Sequence, residues 1–97
     1  MNCSFHPEAE TEFLEAIDYY ESCRIGLGCE FSLEVYSAIE LIRAHPKTWP
    51  VLDGEIRRFL VSRYPYGILY ADDQGSIRIL AIMHLHRDPD YWKHRVR

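Results

Sequence analysis

Apolar residues recur with the period of a helix in the first half of the chain and with the period of a strand in the second. Ala9, Phe13, Ala16, Ile17 and Tyr20 fall on one face of a helix predicted over 7–23. Glu12, Glu15, Asp18 and Glu21 occupy most of its remaining surface. Pro7 suits the first helical position, which needs no amide donor, and Glu8 and Glu10 sit at the positive end of the helix dipole. Gly26 and Gly28 are expected to break this helix. Phe31, Val35, Ala38, Ile39 and Ile42 then repeat the spacing. The ring of Pro46 disfavours helical backbone just before it, so the second helix should stop near Ala44. Two helices joined by a short glycine turn predict an antiparallel hairpin with two apolar stripes to cover.

After residue 54 the period changes to two. Segments 55–61, 65–71 and 76–84 are strand-like, rich in Ile, Val, Phe and Tyr. The tetrad DDQG between the last two predicts a hairpin. SIRILAIM is almost wholly apolar, as expected of a central strand covered on both faces. Residues 2–6 read as a short opening strand, and 45–54, with two prolines and a glycine, as a loop. Pro89 could start one helical turn carrying Tyr91 and Trp92. These elements predict a single α+β domain over 1–97: a two-helix antiparallel hairpin packed on a mainly antiparallel sheet, in the order β-α-α-β-β-β.

Composition narrows the class. The 97 residues are 47% apolar and 27% charged, ordinary for a globular chain. No apolar run approaches the roughly 20 residues of a membrane span, and the opening residues lack the pattern of a signal peptide. A cytoplasmic location, with no membrane partner, is therefore expected. Cys3, Cys23 and Cys29 form no C-x-x-C pair, so neither a disulfide framework nor a zinc site is expected, and no cofactor. The net charge of −4 conceals a split. Residues 1–42 hold nine acids against Arg24 alone, while residues 43–97 hold ten Lys and Arg against six acids. That basic half reads either as a solvated sheet surface or as a working surface for an acidic partner or a phosphate backbone.

Nucleotide-binding glycine loops, H-E-x-x-H and G-x-S-x-G are all absent. What remains is cationic and aromatic. Arg57 and Arg58 are neighbours on a strand and must point to opposite faces. Either both make surface ion pairs, or one reaches a phosphate or a partner's carboxylate with its bidentate fork. His84, His86, Arg87, Tyr91 and Trp92 cluster where the last strand runs out. A histidine beside an arginine and a tyrosine could cleave RNA without metal, through a base, a cation on the phosphate and an acid on the leaving oxygen. The alternative is structural: His84 caps the strand and Tyr91–Trp92 fold back as an aromatic plug.

The segments F-H-P-E-A (5–9), I-D-Y-Y-E (17–21), H-P-K-T-W-P (45–50), I-R-R-F (56–59), Y-P-Y-G-I-L-Y (64–70) and I-L-A-I-M-H-L-H-R-D-P-D-Y-W (79–92) together resemble the RelE/ParE toxins. The likeness is to the ParE branch, known also as plasmid stabilisation proteins, and its most specific part is the closing H-x-x-R-x-P-x-Y-W. The resemblance implies a β-α-α-β-β-β fold, growth arrest by the free protein, and a small cognate antitoxin from a neighbouring gene. RelE-like members cut ribosome-bound mRNA, whereas ParE-like members poison DNA gyrase. Many mRNA-cutting relatives carry an arginine where this chain has Gly67, and their lysine-rich stretch is reduced here to Lys47. The expectation is therefore a ParE-like toxin that binds gyrase and does not itself read DNA sequence. Arg57, Arg58, His86 and Trp92 are its candidate target- or phosphate-binding residues. A RelE-like endoribonuclease using His84, Arg87 and Tyr91 is the alternative, and a non-toxic antitoxin-binding module a second one.

Overall fold

A computed structural model describes residues 2–96 of the chain. The elements are β1 (Asn2–Phe5), α1 (Pro7–Cys23), α2 (Leu27–Ala44), β2 (Val51–Asp53), β3 (Ile56–Leu60), β4 (Tyr66–Asp73), β5 (Ser76–His84) and a 3-10 turn at Lys93–Val96. One sheet holds all five strands in the order β1-β5-β4-β3-β2. Only β1 and β5 run parallel, and the other pairs are antiparallel. The mainly antiparallel sheet under a helix hairpin is thus the predicted α+β architecture, with β2 as an added edge strand.

Local chemistry explains the helix ends. His6 caps α1, its Nδ1 accepting the Glu8 amide at 3.1 Å, with Pro7 at the first helical position. Gly26, at φ +89°, turns the chain into α2. Gly28 corrects the expectation of a second breaker: it is buried in the first turn of α2. A Cβ there would lie 2.7 Å from the Ile17 carbonyl oxygen, so the missing side chain lets the helices touch. The Glu21 carboxylate completes the junction by accepting the amides of Gly26 (3.0 Å) and Gly28 (3.0 Å).

The expected loop at 45–54 contains β2 because tertiary bonds hold it against β3. Arg57 Nη1 donates to the carbonyls of Lys47 (3.2 Å) and Trp49 (2.7 Å), and the Tyr70 hydroxyl donates to that of Pro46 (2.7 Å). A three-residue edge strand, exposed throughout, carries no periodic signal in sequence. The DDQG hairpin closes through Gln74 (φ +51°) and Gly75 (φ +88°), with Asp73 opposite Ser76.

Both faces of β5 are covered. Phe13, Phe31, Val35, Ile39 and Ile42 of the helices meet Ile68, Tyr70, Ile77, Ile79 and Ile82 on one face. On the other, Trp92 of the tail packs among Ile56, Leu69, Leu80 and Met83. The register slips between Leu69 and Tyr70, whose partners are Ala81 and Ile79, so Leu80 is a bulge residue. This shift carries Ile82 and His84 to the helix side; strict alternation from Ile77 and Ile79 would have put His84 on the far face.

Candidate functional site

Strand β1 pairs with β5 only as far as Phe5↔Ile79, and His6 adds one amide bond to the Ile79 carbonyl. Beyond that point two side chains replace a neighbouring strand. Glu12 of α1 accepts the Ile82 amide (3.1 Å), and Arg95 of the tail donates to the Leu80 carbonyl (3.0 Å). The two also bind each other through paired 2.9 Å bonds, the bidentate arginine–carboxylate geometry. Arg95 is 5% exposed, so this ion pair is buried and closes the sheet edge while fastening the tail.

Tyr91 lies between two guanidinium groups, with Arg87 4.0 Å and Arg95 4.9 Å from its ring centroid. Its buried hydroxyl lies beside the Glu12 carboxylate but makes no hydrogen bond of good geometry among the described residues. Burial first, and the Glu12 carboxylate second, push the phenol far above its ordinary range. Beside this lock a cleft of about 160 Å³ opens, lined by Glu12, Glu15, Tyr19, Tyr66, His84 and Arg87. The His84 ring stands edge-on to Tyr66, with centroids 5.1 Å apart, and its Nδ1 accepts the His86 amide at 3.1 Å. The ring nitrogen left to carry a proton is therefore Nε2.

The predicted residues divide among three places. His84 and Arg87 share the cleft, with Tyr91 and Arg87 stacked at its side. Arg57 is on the same face of the sheet, but its guanidinium is bound to the 45–50 segment. Arg58 is on the far face, its stem packed over Gly67, 3.3 Å from where a Cβ would stand. The sheet thus separates Arg58 from His84, and the two cannot converge on one phosphate. Trp92 corrects its assignment as a contact residue: it is 1% exposed, with Nε1–H bonded to the Pro89 carbonyl at 2.7 Å. The aromatic plug is the reading that holds for it. β5 ends at His84, and His86 stands exposed in the turn beyond.

Much of the basic half is consumed internally. Arg63 pairs with Glu34 (3.0 Å), His94 with Glu8 (2.8 Å) and Arg95 with Glu12, each joining the basic half to the acidic hairpin. Lys93 bridges Asp53 and Asp90. Glu12 and Arg95 were not among the candidate residues, since an acid on a polar helix face and a tail arginine carry no signal until the fold joins them. Among the described residues no group of three His, Cys, Asp or Glu is placed to hold a metal ion, and no helix is long and apolar enough to cross a membrane.

The helix hairpin over this five-stranded sheet is a RelE/ParE-like fold. A chain of the chromosomal ParDE toxin–antitoxin (TA) system from P. aeruginosa shares it, with a TM-score of 0.61 at 18% identity, over 89% of this chain and 97% of that one. No family model and no curated protein matches the sequence.

Proposed function

We propose that the chain is the toxin of a type II toxin–antitoxin pair. In this reading it is ParE-like, arrests growth by binding DNA gyrase in the cytoplasm, and is neutralised by a small cognate antitoxin from a neighbouring gene. The observation that carries the reading is the dispersal of the cations on a RelE/ParE-like fold. Arg58 and His84 are on opposite faces of the sheet, Tyr91 is sequestered, and two carboxylates line the His84 cleft. A nuclease needs base, acid and phosphate-binding cation at one point; a protein that acts by surface contact does not. The TA system of the structural neighbour supports an antitoxin partner. The test is gyrase supercoiling with purified chain: inhibition, or gyrase-dependent DNA breaks, is expected. Undiminished supercoiling at large excess sinks the reading.

His84 and Arg87 in one cleft favour a second reading, a ribosome-dependent mRNA endoribonuclease. It requires new codon-phased mRNA ends after induction and their loss in His84→Ala. Full growth arrest by that variant would remove the nuclease.

A further inference from the structure

The corner where β2 leaves β3 combines three features that no internal contact accounts for. First, β2 is the outermost strand of the sheet, and all three of its residues are exposed. An outermost strand presents unpaired amides and carbonyls to whatever approaches. Second, a recess of about 230 Å³ opens there, lined by Trp49, Pro50, Val51, Leu52, Leu60 and Arg58. Val51 and Leu60 are 52% and 54% exposed, a clustering of apolar surface beside a polar backbone edge. Third, Arg58 is half-buried, and although its backbone amide donates to the Pro50 carbonyl (3.1 Å), its guanidinium has neither a hydrogen bond nor an ion pair among the described residues. Its neighbour Arg57 bonds two carbonyls, and the buried Arg95 of the tail has a bidentate carboxylate.

We infer that this corner docks an extended segment of a partner protein, carrying an apolar side chain for the recess and a carboxylate for Arg58. An added strand satisfies the β2 backbone, as in recognition by strand addition. The carboxylate then supplies the fork that Arg58 lacks. Gly67 is part of the device, because a Cβ there would crowd the Arg58 stem at 3.3 Å and shift it by a few tenths of an ångström. The chemistry favours a peptide over nucleic acid: a phosphate backbone is held by several cations, and Arg58 is the one cation lining this recess. The inference deepens the partner half of the proposed function and rests on it for the occupant being a protein.

Titration of the isotope-labelled full chain, followed by amide and guanidinium NMR shifts, tests it with three probes. These are a short peptide of alternating valine and glutamate, the same peptide with lysine for glutamate, and a short oligouridylate. The glutamate peptide should shift Val51, Leu52, Leu60 and the Arg58 Nε–H, and bind about tenfold more tightly than the lysine peptide. Arg58→Glu should reverse that order, and Leu60→Asp, which leaves Arg58 in place, should abolish both. Shifts centred elsewhere, or equal for both peptides, overturn the inference. A stronger response to the oligouridylate at Arg58 overturns it in favour of a phosphate site. Growth arrest by the wild-type chain is scored separately. A harmless chain that still takes the glutamate peptide sinks the toxin reading alone, and arrest without peptide binding sinks this inference alone.

Discussion

Arg95 and Arg58 carry the same group into opposite circumstances. Arg95 is 5% exposed and meets Glu12 in two 2.9 Å bonds, a third going to the Leu80 carbonyl. Arg58 is only half-buried and has apolar neighbours and a glycine, with no acceptor. The difference lies in what each neighbourhood supplies. The α1 face brings a carboxylate to the open edge of β5, so the cation there is spent on holding the fold. At the β2 corner no carboxylate arrives, so the cation is available to another molecule. An arginine's place in sequence says little about which of these it will be.

The comparison breaks most visibly at Arg95. Arg95→Met takes away the bidentate partner of Glu12 and leaves it only the Ile82 amide (3.1 Å) and a longer approach of Arg87 (3.9 Å), which should cost about 3 kcal/mol. At about 4–8 °C per kcal/mol for a domain of this size, the melting temperature should fall by more than 10 °C. Adding Glu12→Gln should recover much of the loss, because the uncompensated charge is then gone. A single variant as stable as wild type would show that the pair does not fasten the tail.

Gly28→Ala asks whether damage to the hairpin spreads to that lock. The new Cβ would sit 2.7 Å from the carbonyl of Ile17, five residues on from Glu12 along α1. A loss of about 1–3 kcal/mol by denaturant unfolding is expected, with tail amides still protected from exchange. Tail exposure in this variant would make hairpin and lock one unit.

Alkaline titration sharpens the Arg95 side. Tyr91 has its folded pKa raised by burial, so the unfolded chain loses the phenolic proton first as pH climbs through about 10. The stability this group contributes is therefore full below that pH and declines above it. Tyr91→Phe should flatten the alkaline limb of the melting profile and still arrest growth on expression. Loss of arrest in a stable Tyr91→Phe chain would return the hydroxyl to the catalytic list.

The smallest stability effect is expected at Arg58. Arg58→Ala removes no internal partner and should change unfolding free energy by no more than about 0.5 kcal/mol. A drop comparable to that of Arg95→Met would erase the distinction between the two arginines.

Much of the fold was legible because periodicity is a local record of burial. The stripe from Ala9 to Tyr20 and that from Phe31 to Ile42 give α1 and α2 to within a few residues, and SIRILAIMH coincides with β5. The role of Gly28 is not legible in sequence, because a glycine needed for close approach looks the same there as one needed for a turn. β2 leaves no trace in the pattern, because three exposed residues have no period. Of the site, the His84–Arg87–Tyr91 neighbourhood was visible as a cluster, but its chemistry was not.

The amino-acid order by itself determined which faces must be apolar and where the chain turns, since those follow from spacing, Pro46 and the glycine turns. It also placed Arg57 and Arg58 on opposite faces, a consequence of strand geometry alone. Only the tertiary structure decided that the bulge at Leu80 sends His84 to the helix side, that Trp92 is core, and that Glu12 meets Arg95 across 83 positions of chain. These depend on which distant atoms satisfy one another's charge and hydrogen bonds, and no local pattern encodes that choice.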